Sequence, residues 1–177
     1  MLRRFVSLIL LLPSMTIATQ TGPELGKAEG RCRANEQGPA FIVNVEGLKD
    51  RKGLLKLEVY PSNDKDFLAD DNVLIDQGKT FRRVEVPVPQ SGPAQLCIRI
   101  PAAGQYSLSL LHDRNSDHRF QYGFEEDGIG FSANPKLHLS QPKSAATRVS
   151  AGNGLTTINI VMNYRRGILS FGPIKGH

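Results

Sequence analysis

The sequence has no tryptophan, two cysteines in 177 residues, and no lysine- and arginine-rich run. Two cysteines are too few for a disulfide-dense small scaffold or a four-thiolate metal site. No Gly-x-Ser-x-Gly elbow, phosphate-binding glycine loop, His-Glu-x-x-His or Cys-x-x-Cys is present, so the chemistries those motifs support have no anchor. The longest apolar run, Phe5 to Leu12, falls far short of the roughly 20 residues a helix needs to cross a bilayer. Glycine at 17 of 177, with apolar residues spread along the chain, excludes collagen, coiled coil and bulk disorder. What remains, 40% hydrophobic and 22% charged, describes one soluble globular domain with a core of ordinary size.

The first residues read as an address. Arg3 and Arg4 precede the apolar run, Pro13 breaks it, and Thr16 and Ala18 place small residues where a signal peptidase inspects them. Residues 1–18 are therefore expected to be a signal peptide, 19–39 an extended leader, 40–166 the folded domain and 167–177 a C-terminal tail. The expected compartment is the periplasm or the medium, with no transmembrane anchor. Loss of the two arginines takes the formal charge from +5 to +3. The doublets Arg82-Arg83 and Arg165-Arg166 have no stacking aromatics interleaved with them, so nucleic acid is not an expected partner.

Cys32 and Cys97, an even count in an exported chain, read as a disulfide that pins the leader. From Ala40 onward the hydrophobic pattern has period two. Phe41, Val43 and Val45, a polar turn at Gly47 to Gly53, then Leu55, Leu57 and Val59 predict a hairpin. Phe81 to Val88 reads as a strand confined to a sheet edge by Pro87 and Pro89. In the next strand Leu96, Ile98 and Ile100 alternate with Gln95, Cys97 and Arg99, which puts Cys97 on the outer face. Gly104 to Leu111 sets Tyr106, Leu108 and Leu110 against Ser107 and Ser109. Leu137 to Leu139 and Thr147 to Val149 suggest short strands, and Ile158 to Tyr164 is the last clear one. Asp64 to Ile75 gives no regular period. The fold class is all-β: an antiparallel β-sandwich of about seven strands, immunoglobulin-like or prealbumin-like.

Residues 112–134 concentrate acidic, amide, histidine, glycine and aromatic residues directly after a strand. Asp113, Asn115 and Asp117 at every second position can turn three hard oxygens toward one centre, as the first half of a calcium loop does. Calcium is the cation this spacing fits, with Glu125, Glu126 and Asp127 available from the far side. The same spacing also suits an Asx-rich turn whose side chains bind their own backbone. His112, Asp113 and His118 offer a transition-metal set of unspecific spacing, and the carboxylates at 125–127 an acid/base pair.

The succession Gly104-Gln105-Tyr106, His112-Asp113-Arg114-Asn115, then Asp127-Gly128-Ile129-Gly130-Phe131-Ser132 resembles the bacterial exported family called domain of unknown function 2141. Its pattern is a Gly-x-Tyr strand, a His-Asp loop with alternating Asn or Asp, a Gly-Phe-Ser phrase and a later strand ending in Tyr, here Tyr164. His118 and Gln121 depart from it where that loop often carries Gly and a further Asp. The resemblance runs from about Phe41 to Tyr164 and implies an exported β-sandwich with no established activity. His112, Glu125, Asp127, Gly130, Phe131 and Ser132 join the three oxygen-bearing residues as the loop constellation. The expected function is a non-catalytic exported module that uses loop 112–132 for recognition of an envelope protein or glycan, or for holding a cation. The alternative is an envelope hydrolase acting on glycans or small molecules with His112, Asp113 and Glu125 or Asp127.

Overall fold

The computed structural model describes residues 22–121, 127–138, 140–167 and 170–174. The signal peptide expected over 1–18 therefore lies outside the described residues, as do Glu125 and Glu126. The strands are β1 (Ala40–Glu46), β2 (Leu54–Pro61), β3 (Arg82–Pro87), β4 (Ala94–Arg99), β5 (Gly104–Asp113), β6 (Gly128–Phe131), β7 (Arg148–Ala151), β8 (Leu155–Val161), β9 (Tyr164–Gly167) and β10 (Ser170–Gly172). Three short helices accompany them: α1 (Lys27–Gly30), α2 (Asp71–Asp76) and α3 (Ser144–Thr147).

The strands form two main sheets and a separate two-stranded pair, β10-β9. One has the order β4-β1-β8; the other has the order β3-β2-β5-β6, with β7 on the same side of β5 as β6. All pairings are antiparallel except β1 with β8, which is parallel. Inward residues of both sheets, Phe41, Val43, Leu55, Leu57, Ile98, Leu108, Leu110, Ile160 and Met162 among them, make one fully desolvated core.

The chain is thus an all-β sandwich, as the alternation implies, but the pairing differs from the expected hairpin. β1 and β2 do not pair: β1 lies between β4 and β8, and β2 between β3 and β5. The segment 47–53 is an arch from one sheet to the other, because the apolar rows of the two strands face each other across the core. Nor is β8 the final strand, since β9 and β10 follow it. Leu137 and His138 are not in a strand, and Leu139 is outside the described residues.

A second apolar cluster covers the outer face of the larger sheet. Leu25, Tyr60, Phe67, Leu74, Phe81 and Phe131 pack there, brought over by the segment 62–81, which includes α2, and by the leader. This second layer is why Ser107, Ser109 and Glu58 are buried although they sit on the polar side of the alternation. Glu58 lies in a closed network: it accepts from Arg83 Nε at 2.8 Å and from the Tyr60 hydroxyl at 2.6 Å.

The leader is not simply extended. Gly22–Glu24 make a 3-10 turn, α1 makes one α-turn, and Leu25 is buried. Gly30 lies so close to β3 that a Cβ there would fall 2.7 Å from the Arg83 carbonyl oxygen. The leader then bridges from Arg31 to Ile98 of β4 and is tied by the disulfide Cys32–Cys97, 65 residues apart in sequence. Cys97 points away from the core, so the staple lies on the outside of the sheet.

Candidate functional site

β5 ends in His112 and Asp113, and β6 returns beside it with Gly128 opposite His112 and Phe131 opposite Ser109. The polar segment is thus the connection of a β-hairpin. Its two adjacent leading residues point to opposite faces of the sheet, and each is engaged differently.

His112 faces inward and is fully buried. Its Nε2 lies 2.8 Å from the Lys52 carbonyl, which can only accept, so Nε2 carries the hydrogen. Its Nδ1 lies 2.6 Å from the Tyr164 hydroxyl. That hydroxyl accepts from the Lys49 amide at 3.0 Å and donates to Nδ1. One relay therefore runs from the 47–53 arch through Tyr164 and His112 back to the arch, and it uses the neutral imidazole. Burial, the largest influence, holds the His112 pKa below its usual 6.5. Burial likewise pushes the Tyr164 phenol well above its usual value. The two rings meet edge to face with centroids 5.9 Å apart. Tyr164 reaches this position only because residue 128 is glycine; a Cβ there would fall 2.4 Å from the ring.

Asp113 faces the other way and is 1% exposed. Its Oδ1 accepts from the Asp117 amide at 3.2 Å and its Oδ2 from the His118 amide at 2.7 Å. Asp127, 3% exposed, does the same from the far strand, accepting from the Arg114 amide at 3.0 Å and the Gln121 amide at 2.8 Å. Two buried carboxylates thus occupy four main-chain N–H groups of one loop. Asn115 and Asp117 add a smaller shell: the Asn115 side chain both donates to Asp117 Oδ2 and accepts from the Asp117 amide. Asp117 Oδ1 accepts from the Arg119 amide at 2.9 Å, and Gln121 Nε2 donates to Oδ2. The Arg119 amide is the chief reason that the Asp117 carboxyl sits below its ordinary range. These bonds hold Ser116 (φ 59°) and His118 (φ 64°) in the left-handed region, which residues other than glycine rarely adopt.

The structure brings the predicted oxygens together, but around the loop's own amides. Among the described residues, no group of three or more His, Cys, Asp and Glu side chains is placed to hold a metal ion. Nor do the hydrolase candidates converge among the described residues: His112 and Asp113 diverge, and both ring nitrogens of His112 are engaged. Gly130, Phe131 and Ser132 close the corner behind the loop. A Cβ at Gly130 would fall 2.5 Å from Ile160 Cγ2. Phe131 packs edge to face on Phe67. Ser132 Oγ accepts from the Leu108 amide at 2.9 Å and donates to the Thr147 carbonyl, tying β5 to α3.

One element of the corner had no local signal in the sequence. His118 Nδ1 lies 3.1 Å from Glu85 of β3, whose other oxygen pairs with Lys27 of the leader at 2.7 Å. Burial opposes ionisation of Glu85, but Lys27 and His118 outweigh it and its carboxyl is held low. Lys56 Nζ donates to the His118 carbonyl at 2.9 Å. Lys56, Glu85, His118 and Arg119 border a cleft of about 340 Å³ beside the loop.

Compared with known proteins, residues 43–159 match the family model described as an uncharacterised protein conserved in bacteria, DUF2141. No curated protein and no solved structure matches.

Proposed function

The chain belongs to the uncharacterised bacterial family DUF2141, and we propose that it works as an exported, non-catalytic β-sandwich module whose 112–132 corner presents a fixed recognition surface. The observation that carries this reading is the pair of buried carboxylates, Asp113 and Asp127, spent on four amides of the same loop. A loop ordered in this way before it meets a ligand loses less entropy on binding. Arg119 is exposed and borders the cleft with Lys56 and His118, while Phe120, 40% exposed, lies against Phe171 with ring centroids 6.4 Å apart. A cationic and an aromatic side chain on a rigid support are the residue types that dominate recognition surfaces. The partner class is an envelope protein or glycan.

Export is supported by the basic, apolar and small-residue succession of residues 1–18 and by the disulfide, which fits an oxidising compartment. No helix among the described residues is long and apolar enough to cross a membrane. Calcium, which the Asp-x-Asn-x-Asp spacing suits, would have to share carboxylate oxygens that already accept from the loop's own amides.

The test uses the processed chain beginning at Thr19, cross-linked in bacterial envelopes. The double variant Arg119→Ala and Phe120→Ala is expected to lose the cross-linked component while still unfolding in one cooperative transition. Capture indifferent to these two side chains would overturn the reading.

A further inference from the structure

β2 and β3 set two pairs of opposite charge directly across from each other, Glu58 with Arg83 and Lys56 with Glu85. Neighbours of this kind attract, and the first pair closes: Arg83 Nη2 lies 2.7 Å from Glu58 Oε1. The second does not close. Glu85, with a side chain only 6% exposed, is taken from outside the pair, by Lys27 of the leader at 2.7 Å and by His118 of the corner at 3.1 Å. Lys56 Nζ turns instead to a neutral acceptor, the His118 carbonyl at 2.9 Å. Among the described residues it has no carboxylate within ion-pair distance.

Arg119 is in the same position. Its main-chain amide donates to Asp117, and its exposed side chain has no hydrogen bond or ion pair among the described residues. Lys56 and Arg119 border one cleft, of about 340 Å³, together with Arg83, Glu85, Asp117 and His118. The other charges of that cleft are engaged. Arg83 is spent on Glu58 and Asp71, and Glu85 on Lys27 and His118. Asp117, which the Arg119 charge helps to hold low, accepts from the Arg119 amide and from the side-chain amides of Asn115 and Gln121. Two cations and one ring nitrogen are left. An ionised carboxylate can only accept, so His118 Nδ1 carries the hydrogen that it gives to Glu85, and Nε2 of the neutral ring is an acceptor.

We infer that this cleft binds an acidic sugar, taking its carboxylate or phosphate group between Lys56 and Arg119. After its bond to the His118 carbonyl, Lys56 retains two N–H donors, and the Arg119 guanidinium offers a planar fork that matches two oxygens of one oxyanion. His118 Nε2 accepts from a hydroxyl of the same sugar. The volume of the cleft is that of a small-ligand site, not of a surface that receives a folded partner. An anion bound here supplies the counterion that β3 withholds from Lys56 by giving Glu85 to the leader and the corner. This inference rests on the reading of the 112–132 corner as a recognition surface and names the chemistry it recognises.

Amide chemical shifts of the oxidised chain, followed by NMR during titration with glucuronate, glucose phosphate, glucose and inorganic phosphate, test it. Glucuronate and glucose phosphate separate the two sources of the oxyanion. Saturable shifts at the His118 and Arg119 amides are expected with at least one of them and not with glucose. Lys56→Gln, which keeps a donor for the His118 carbonyl, and Arg119→Ala are each expected to weaken that binding about tenfold while the chain still unfolds cooperatively. No saturable shift with either acidic sugar overturns the inference, as does binding that both variants leave unchanged. Inorganic phosphate bound as tightly as glucose phosphate overturns the assignment to a sugar, and tighter binding of a Glu-containing tripeptide gives the cleft to a protein instead. If the sugars fail while Arg119→Ala with Phe120→Ala still loses its cross-linked component, the recognition reading stands and this inference alone falls.

Discussion

Removing the imidazole of His112 strips the Tyr164 hydroxyl of its acceptor and the Lys52 carbonyl of its donor, inside a fully buried site. Both orphaned groups then carry a desolvation penalty, and the ring leaves a cavity. His112→Ala is expected to lower unfolding free energy by about 3 kcal/mol in urea titration. The relay also fixes the direction of a pH effect. The native imidazole is held neutral, with a pKa below the usual 6.5. In the unfolded chain the ring binds a proton near 6.5, so above that pH the contribution is complete. As pH falls below it the unfolded state takes up the proton first, and stability declines until the native pKa is passed. Urea midpoints measured across this window should fall with acid for the wild-type chain, with a shallower fall for His112→Ala. Little of this relay was legible in the sequence. His112 and Tyr164 are 52 residues apart, and a histidine that ends a strand looks the same whether it faces a ligand or the core.

At the scale of the element, the leader is held by several weak contacts and one covalent link. Leu25 is buried, Lys27 pairs with Glu85, Arg31 bridges to Ile98, and the disulfide fastens Cys32 to Cys97. Closing a loop of this length is worth about 4 kcal/mol in the chain-entropy model. Cys32→Ser with Cys97→Ser should therefore lose stability of that order in urea titration. Amide exchange should accelerate first over Lys27–Gly30, before the two sheets open. The strands themselves were readable because alternation records burial directly: Phe41, Val43 and Val45, or Tyr106, Leu108 and Leu110, can only lie on one side of a strand. The leader's turns were not readable, since one turn of helix leaves no period to detect and is held by tertiary contacts. α2, six residues long, escaped for the same reason.

For the whole molecule, alternation identifies strands without naming their partners. β1 and β2 looked like a hairpin because they are neighbours in sequence with a polar turn between them. Across the core they face each other from different sheets, and β1 instead meets β4 and β8 from far along the chain. The corner shows the same limit at the level of function. Asp113, Asn115 and Asp117 were visible as converging oxygens, but a cation and a set of backbone amides ask for the same convergence. In the folded loop the amides of Arg114, Asp117, His118 and Gln121 donate to the two buried carboxylates, and their directions follow from the fold. The support from Glu85 and Lys27 arrives from β3 and the leader, which nothing in the local pattern announces.

The central claim is that the corner is ordered by its own buried carboxylates. Thermal unfolding of the oxidised chain in EDTA and in calcium, repeated on Asp113→Ala, tests it most directly. A ligand bound only to the folded state at 100 times its dissociation constant would add about 2.7 kcal/mol. The account predicts that calcium leaves the midpoint where EDTA left it. It also predicts that Asp113→Ala lowers the midpoint equally in both, by the loss of about 1–3 kcal/mol that follows from two unsatisfied amides. A rise of several degrees with calcium in the wild-type chain, absent from Asp113→Ala, would contradict it.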